Sequence, residues 1–119
     1  MQARLVWLVF AGGAIGSLVR GFITAFGADL LSTLIVNVLG AAILGLIQHA
    51  PHFDGEAKQA FFATGFCGGF TTLSGIALFA VLGGADVALT VGYIALTVVA
   101  SVAAYALWAY LGKSFRNGY

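Results

Sequence analysis

Few side chains in this sequence could do chemistry, and those few sit inside long apolar runs. One run contains Gly65-Phe66-Cys67-Gly68-Gly69-Phe70-Thr71-Thr72-Leu73-Ser74, with paired glycines ahead of a cluster of hydroxyls. Glycine lowers the cost of a break or an unusual dihedral. A helix broken between apolar flanks frees carbonyls, which suit a hard cation such as Na+, and amide donors, which suit an anion. A threonine hydroxyl in an intact helix instead bonds back to its own backbone. The adjacent Gly68-Gly69 makes that reading less convincing for Thr71, Thr72 and Ser74. Asn37 lies near the middle of another run, one turn after Thr33. Its amide offers two donors, either to glue helices together or to replace an anion's hydration shell. Tyr93, Thr97 and Ser101 recur every four residues and so share one helix face. They form either a hydroxyl line that guides an anion or a set of contacts with neighbouring helices. Arg20, late in the first run, either snorkels to headgroups or sets a positive charge in a vestibule.

These groups need elements that hold them in an apolar medium. Of the 119 residues, 61% are hydrophobic and 8% charged, against roughly 25% charged in an ordinary soluble domain. Four apolar runs, at 5–26, 30–47, 59–82 and 87–111, are each near the ~20 residues that cross a bilayer as a helix. The expected architecture is therefore an all-α integral membrane protein. It is one domain over residues 1–119, with four spans and the third broken. The first run continues past Gly16 to Phe26, longer than the core of a cleaved signal peptide, and is expected to remain as a span. Short connections surround Asp29, Pro51 and Asp86, and a tail follows from Lys113.

Four spans put both termini on one side. That side collects Arg4, Lys58, Lys113 and Arg116, while Asp29 and Asp86 lie opposite. Basic residues favour the cytoplasmic face, so both termini are expected there. Gly12-x-x-x-Gly16 fits close helix packing, within the chain or with a partner. The Phe62, Phe66 and Phe70 stripe reads as core or lipid-facing surface. Cys67 is the single cysteine, so no disulfide forms within the chain. His49 and His52 have no other ligands nearby, which argues against a metal site there. A net charge of +1 gives no case for nucleic acid. No span has a central carboxylate, which disfavours a proton-coupled small-solute transporter.

Three motifs in order resemble the Fluc (CrcB-type) fluoride channels. Gly12-Gly13-Ala14-Ile15-Gly16-Ser17-Leu18-Val19-Arg20 is similar to that family's first-helix motif. Thr33-Leu34-Ile35-Val36-Asn37-Val38-Leu39-Gly40 is similar to its second, and Gly65 to Thr72 to its third-helix break. The resemblance implies a channel rather than an enzyme. It implies passive fluoride export across the cell membrane, and two subunits packed antiparallel with two pores. A structural Na+ at the dimer interface would be held by the backbone carbonyls of Gly68 and Thr71. Asn37 would donate to fluoride, Arg20 would line the vestibule, and Tyr93, Thr97 and Ser101 would form a polar track. Thr72 and Ser74 would lie by the pore.

The chain departs from the family just after the break. Where the family usually reads Phe-Ser-Thr-Phe, this chain reads Leu73-Ser74-Gly75-Ile76, and a frequent acidic position is Phe79. Leu73 and Ile76 offer an anion no electropositive ring edge. An antiparallel homodimer needs a chain that inserts both ways, whereas this chain has a one-sided charge bias. The two departures point to a heterodimer with a homologous, oppositely oriented subunit rather than a homodimer. The alternative is a structural partner that does not conduct.

Overall fold

A computed structural model describes residues 3–25, 30–72 and 86–117. Described residues outside helices are turns and short connections. Helix α1 covers Ala3–Ala25 and α2 covers Leu30–His49. A 3-10 turn, Pro51–Phe53, follows. Helix α3 is a continuous stretch, 56–70. It is α-helical over Glu56–Lys58, π-helical over Gln59–Cys67 and α-helical again over Gly68–Phe70. Helix α4 covers Val87–Asn117. Among the described residues, α1, α2 and α4 are long and apolar enough to cross a membrane. The run expected at 59–82 is helical only as far as Phe70, and 73–85 lies outside the described residues.

The boundaries have local causes. Pro51 stops α2: the residue before a proline is pushed out of the helical region, and Ala50 is extended at ψ 140°. Gly55 opens α3 at φ 109°, a left-handed value that favours glycine. Asp86 caps α4 by accepting the Ala88 amide on its side chain (3.1 Å) and the Thr90 amide on its carbonyl (3.0 Å). The charged tail is a difference from expectation. Gly112 packs on His49 and Ala50, nothing breaks the backbone after it, and α4 runs on to Asn117.

The helices associate as two pairs. Helices α1 and α3 run parallel with their backbones nearly touching. A side chain at Gly12 would run into the Phe61 carbonyl and Phe66 amide, and one at Gly16 into the Phe66 carbonyl and Phe70 amide. From the other side, side chains at Gly65 and Gly69 would meet the Val9 and Gly13 carbonyls. The Gly12–Gly16 spacing thus serves packing within the chain. Helices α2 and α4 also run parallel, closest where Gly45 meets the backbone of Tyr105 and Ala109. Phe70 is fully buried and stacks on Phe66, with centroids 5.5 Å apart.

One end of the bundle is tied by polar bonds. Arg116 near the end of α4 forks onto both carboxylate oxygens of Asp54 (2.6 and 3.0 Å) and donates to the His49 carbonyl (3.2 Å). The guanidinium holds the Asp54 carboxyl below its usual range. Gln59 donates to the carbonyls of Ile47 and Phe53, and Lys58 to that of His52. The start of α1 packs beside 56–58, so Arg4, Lys58, Lys113 and Arg116 share this end.

Candidate functional site

The break in α3 organises the site. Thr71 leaves the helix with extended backbone, φ −86° and ψ 158°. A helix that stops leaves its last carbonyls without helical donors, and in an apolar medium each must find another. Side chains from two other helices provide them. Ser17 of α1 reaches the Gly69 carbonyl (3.4 Å), and Arg20 Nη1 donates to the Thr71 carbonyl (3.1 Å). The Cys67 carbonyl accepts both the amide (3.1 Å) and the hydroxyl (2.9 Å) of Thr71. Asn37 of α2 binds Thr72 twice: Oδ1 accepts its amide (2.8 Å) and Nδ2 donates to its carbonyl (2.9 Å). The Thr72 amide, which would close on the Gly68 carbonyl in a continuing α-helix, is thereby turned aside.

Those contacts settle where several expected site residues point. Asn37 does glue helices, with a backbone as its partner. One Nδ2 hydrogen is used, and the second has no acceptor among the described residues. Arg20 turns to the break rather than running along the helix toward headgroups. The Thr71 hydroxyl takes the back-bonding arrangement of an intact helix, although the helix ends there. Leu73, Ser74 and Ile76 lie outside the described residues.

Beside the break, α2, α3 and α4 enclose an open cleft of about 660 Å³. Its walls are mostly apolar, with Leu44, Ile94 and Val98 prominent, and its polar groups come from Asn37, Thr71, Thr72, Thr97 and Ser101. Gly68 also lines it, with open space where a side chain would stand. Tyr93 is half-buried and does not join Thr97 and Ser101 on the lining. Thr97 is 5% exposed, and its hydroxyl has no hydrogen-bond partner among the described residues. Gln48 and Thr64 also line the cleft, and sequence reading singled out neither. Gln48 lies eleven positions after Asn37, three helical turns along the same face, which was the signal available.

The arrangement can do two things. Asn37 and Thr97 both line the apolar cleft, and each has a neutral donor not engaged among the described residues, a combination suited to a small anion. The Gly68 carbonyl, freed of its helical donor at a helix C-terminus, suits a hard cation. The Thr71 carbonyl keeps one lone pair beyond the one that meets Arg20. Both carbonyls thus have the chemistry of hard-cation ligands, while the Arg20 charge on the Thr71 carbonyl opposes a cation there.

Comparison with known proteins gives the chain a family. A family model described as "CrcB-like protein, Camphor Resistance (CrcB)" matches residues 7–112. "Fluoride-specific ion channel FluC 2" of Synechococcus sp. (strain CC9605) is 38% identical over 111 residues, covering 92% of this chain and 81% of the relative. "Fluoride-specific ion channel FluC" of Azobacteroides pseudotrichonymphae genomovar. CFP2 is 33% identical, covering 94% and 98%. "Fluoride-specific ion channel FluC 1" of Streptococcus pneumoniae serotype 4 (strain ATCC BAA-334 / TIGR4) is 40% identical over 73 residues, covering 59% and 64%. Both glycine motifs and the break lie within the matched residues, and the apolar helices are those of a membrane protein. On the strength of a match that spans nearly its full length, the chain belongs to the CrcB-like family, that of the FluC fluoride-specific ion channels.

Proposed function

We propose that this chain is a subunit of a fluoride channel that lets fluoride leave the cytoplasm down its gradient. The observation that carries this reading is the pair of unmatched donors in the cleft: the buried Thr97 hydroxyl and the second Asn37 N–H. A buried hydroxyl without a partner costs about 1–3 kcal/mol, a cost that a passing anion offsets. Neutral donors hold an anion firmly enough to replace water and loosely enough to release it. Ser101 lies on the same wall and extends the donor line. Tyr93 would stand at its start, and Arg20 would supply the nearby positive charge.

The channel would be an antiparallel dimer in the cell membrane, with both termini of this subunit in the cytoplasm. The shared end of Arg4, Lys58, Lys113 and Arg116 supports a single orientation. A fixed orientation requires a second, oppositely inserted homologue, so the assembly would be a heterodimer rather than a homodimer. A structural Na+, held by the carbonyls of Gly68 and Thr71, would tie the two breaks together. Leu73 and Ile76 replace aromatic residues expected beyond the break. That substitution favours a second reading, a partner that supports the assembly but conducts little itself.

The test is fluoride efflux from proteoliposomes, with the chain alone and then co-expressed with a homologue of opposite charge bias. Efflux is expected only from the pair. Asn37→Asp, which removes both donors and adds a negative charge, is expected to abolish efflux through the path this subunit lines. Full efflux from the chain alone would overturn the heterodimer. Unchanged efflux in Asn37→Asp would overturn the assigned path and leave the second reading.

A further inference from the structure

We propose that Gln48 and Tyr105 form a further contact for the permeating anion, at the end of the cleft far from the break; this rests on the channel reading above. The cleft follows one face of α2 from Asn37 through Gly40, Ala41 and Leu44 to Gln48. At 1.5 Å per residue, Gln48 stands about 16 Å along the axis from Asn37. On α4, Thr97 and Ser101 line the same cleft, and Tyr105 is the next residue at that four-residue spacing. The two rows converge where the Tyr105 hydroxyl donates to Gln48 Oε1 at 2.6 Å.

That bond fixes which way the amide faces. Gln48 Oε1 is engaged, so the two Nε2 hydrogens are what the side chain has left to offer. They have no acceptor among the described residues, and Gln48 is exposed on the cleft lining. Asn37 shows the same device at the break: its oxygen is tied by a donor, and an N–H remains over. Tyr105 is itself held. Its backbone packs on Gly45, and its ring meets the His49 ring edge-on with centroids 6.1 Å apart. His49 is in turn anchored by Nδ1 on the Gly45 carbonyl at 2.9 Å. A neutral amide held in this way is a weak anion contact, which a conducting path needs at its ends.

Gln48→Glu is the informative variant, because a carboxylate still accepts the Tyr105 hydroxyl while losing both donors and gaining a negative charge. In the conducting assembly it is expected to lower fluoride efflux about tenfold or more, and Tyr105→Phe by a smaller, severalfold factor. Wild-type efflux with Gln48→Glu within about twofold of it would overturn the inference and leave the channel standing. A second measurement needs no conduction. The sequence has three glutamines and two asparagines, so side-chain amide resonances of the labelled chain in detergent are assignable by substitution. The Gln48 amide is expected to shift on titration with sodium fluoride and not with sodium gluconate at equal ionic strength. No shift, or equal shifts with both salts, would overturn the contact even if every assembly failed to conduct and the channel reading itself fell.

Discussion

The two helix pairs differ in what lies between their partners. Between α1 and α3 there is nothing: glycine faces backbone on both sides, and the helices touch along Gly12, Gly16, Gly65 and Gly69. Between α2 and α4 the backbones come close at Gly45 and Gly112, and the two helices also line a cleft with hydroxyls and amides. The first pair is intolerant of volume and carries the break. The second is sensitive to the number and sign of its polar groups. Close packing without a hydrophobic driving force is what stabilises helices in lipid, so the stiff pair can hold the break while the looser pair contains the path.

The sharpest way to break this contrast is to add volume to the stiff pair. Gly16→Val puts methyl groups against the Phe66 carbonyl and Phe70 amide, main-chain atoms that cannot move aside. A loss of about 3 kcal/mol is expected, read as unfolding in mixed detergent. Wild-type stability would show that α1 and α3 are not in backbone contact. Next in size is Arg20→Gln, which removes the charged donor from the Thr71 carbonyl. It should cost about 2 kcal/mol in the same assay, while Arg20→Lys recovers part of the loss.

Thr97→Val acts on the second pair and should move stability and conduction in opposite directions. The change keeps the shape and removes a buried hydroxyl that has no partner. Stability should rise by about 1 kcal/mol, while fluoride efflux falls. A fall in both would mean that the hydroxyl serves packing. The smallest effect belongs to the Asp54–Arg116 clasp, which is exposed to solvent. Because Arg116 lowers the folded Asp54 value, its contribution is present above the unfolded carboxylate value, near pH ~4, and is lost as pH falls through the lowered one. Asp54→Asn should therefore lower the melting temperature slightly near neutrality and leave it unchanged in strong acid, which flattens its dependence on pH.

The sequence made the break legible through Gly68-Gly69 followed by two threonines, because no other run pairs glycines with hydroxyls in that way. It also made the membrane class and the packing role of Gly12 and Gly16 legible, since both follow from composition and spacing. What satisfies the break was not legible. Asn37 and Arg20 each allowed two readings, because their partners depend on which helices are neighbours, and spacing within one helix does not say. Gln48 stood beside a loop and Tyr105 among alanines, so neither drew attention until the fold set them 2.6 Å apart. The charged tail looked like an end because charge usually marks one. Helix α4 continues through it because Lys113 and Arg116 are good helix formers, and Arg116 finds Asp54.

The length of α4 has a mechanical consequence. Its 31 residues make a rod of about 46 Å, against a hydrocarbon core near 30 Å. A free helix would absorb the surplus by leaning on its own. This one is bolted near its far end, where Arg116 grips Asp54 and the His49 carbonyl. Any lean is passed through that joint to the 50–55 connection and to the end of α2, the helix that holds Asn37. A tilt of α4 to match bilayer thickness would therefore be felt first at the end of α2 that carries Gln48 and His49.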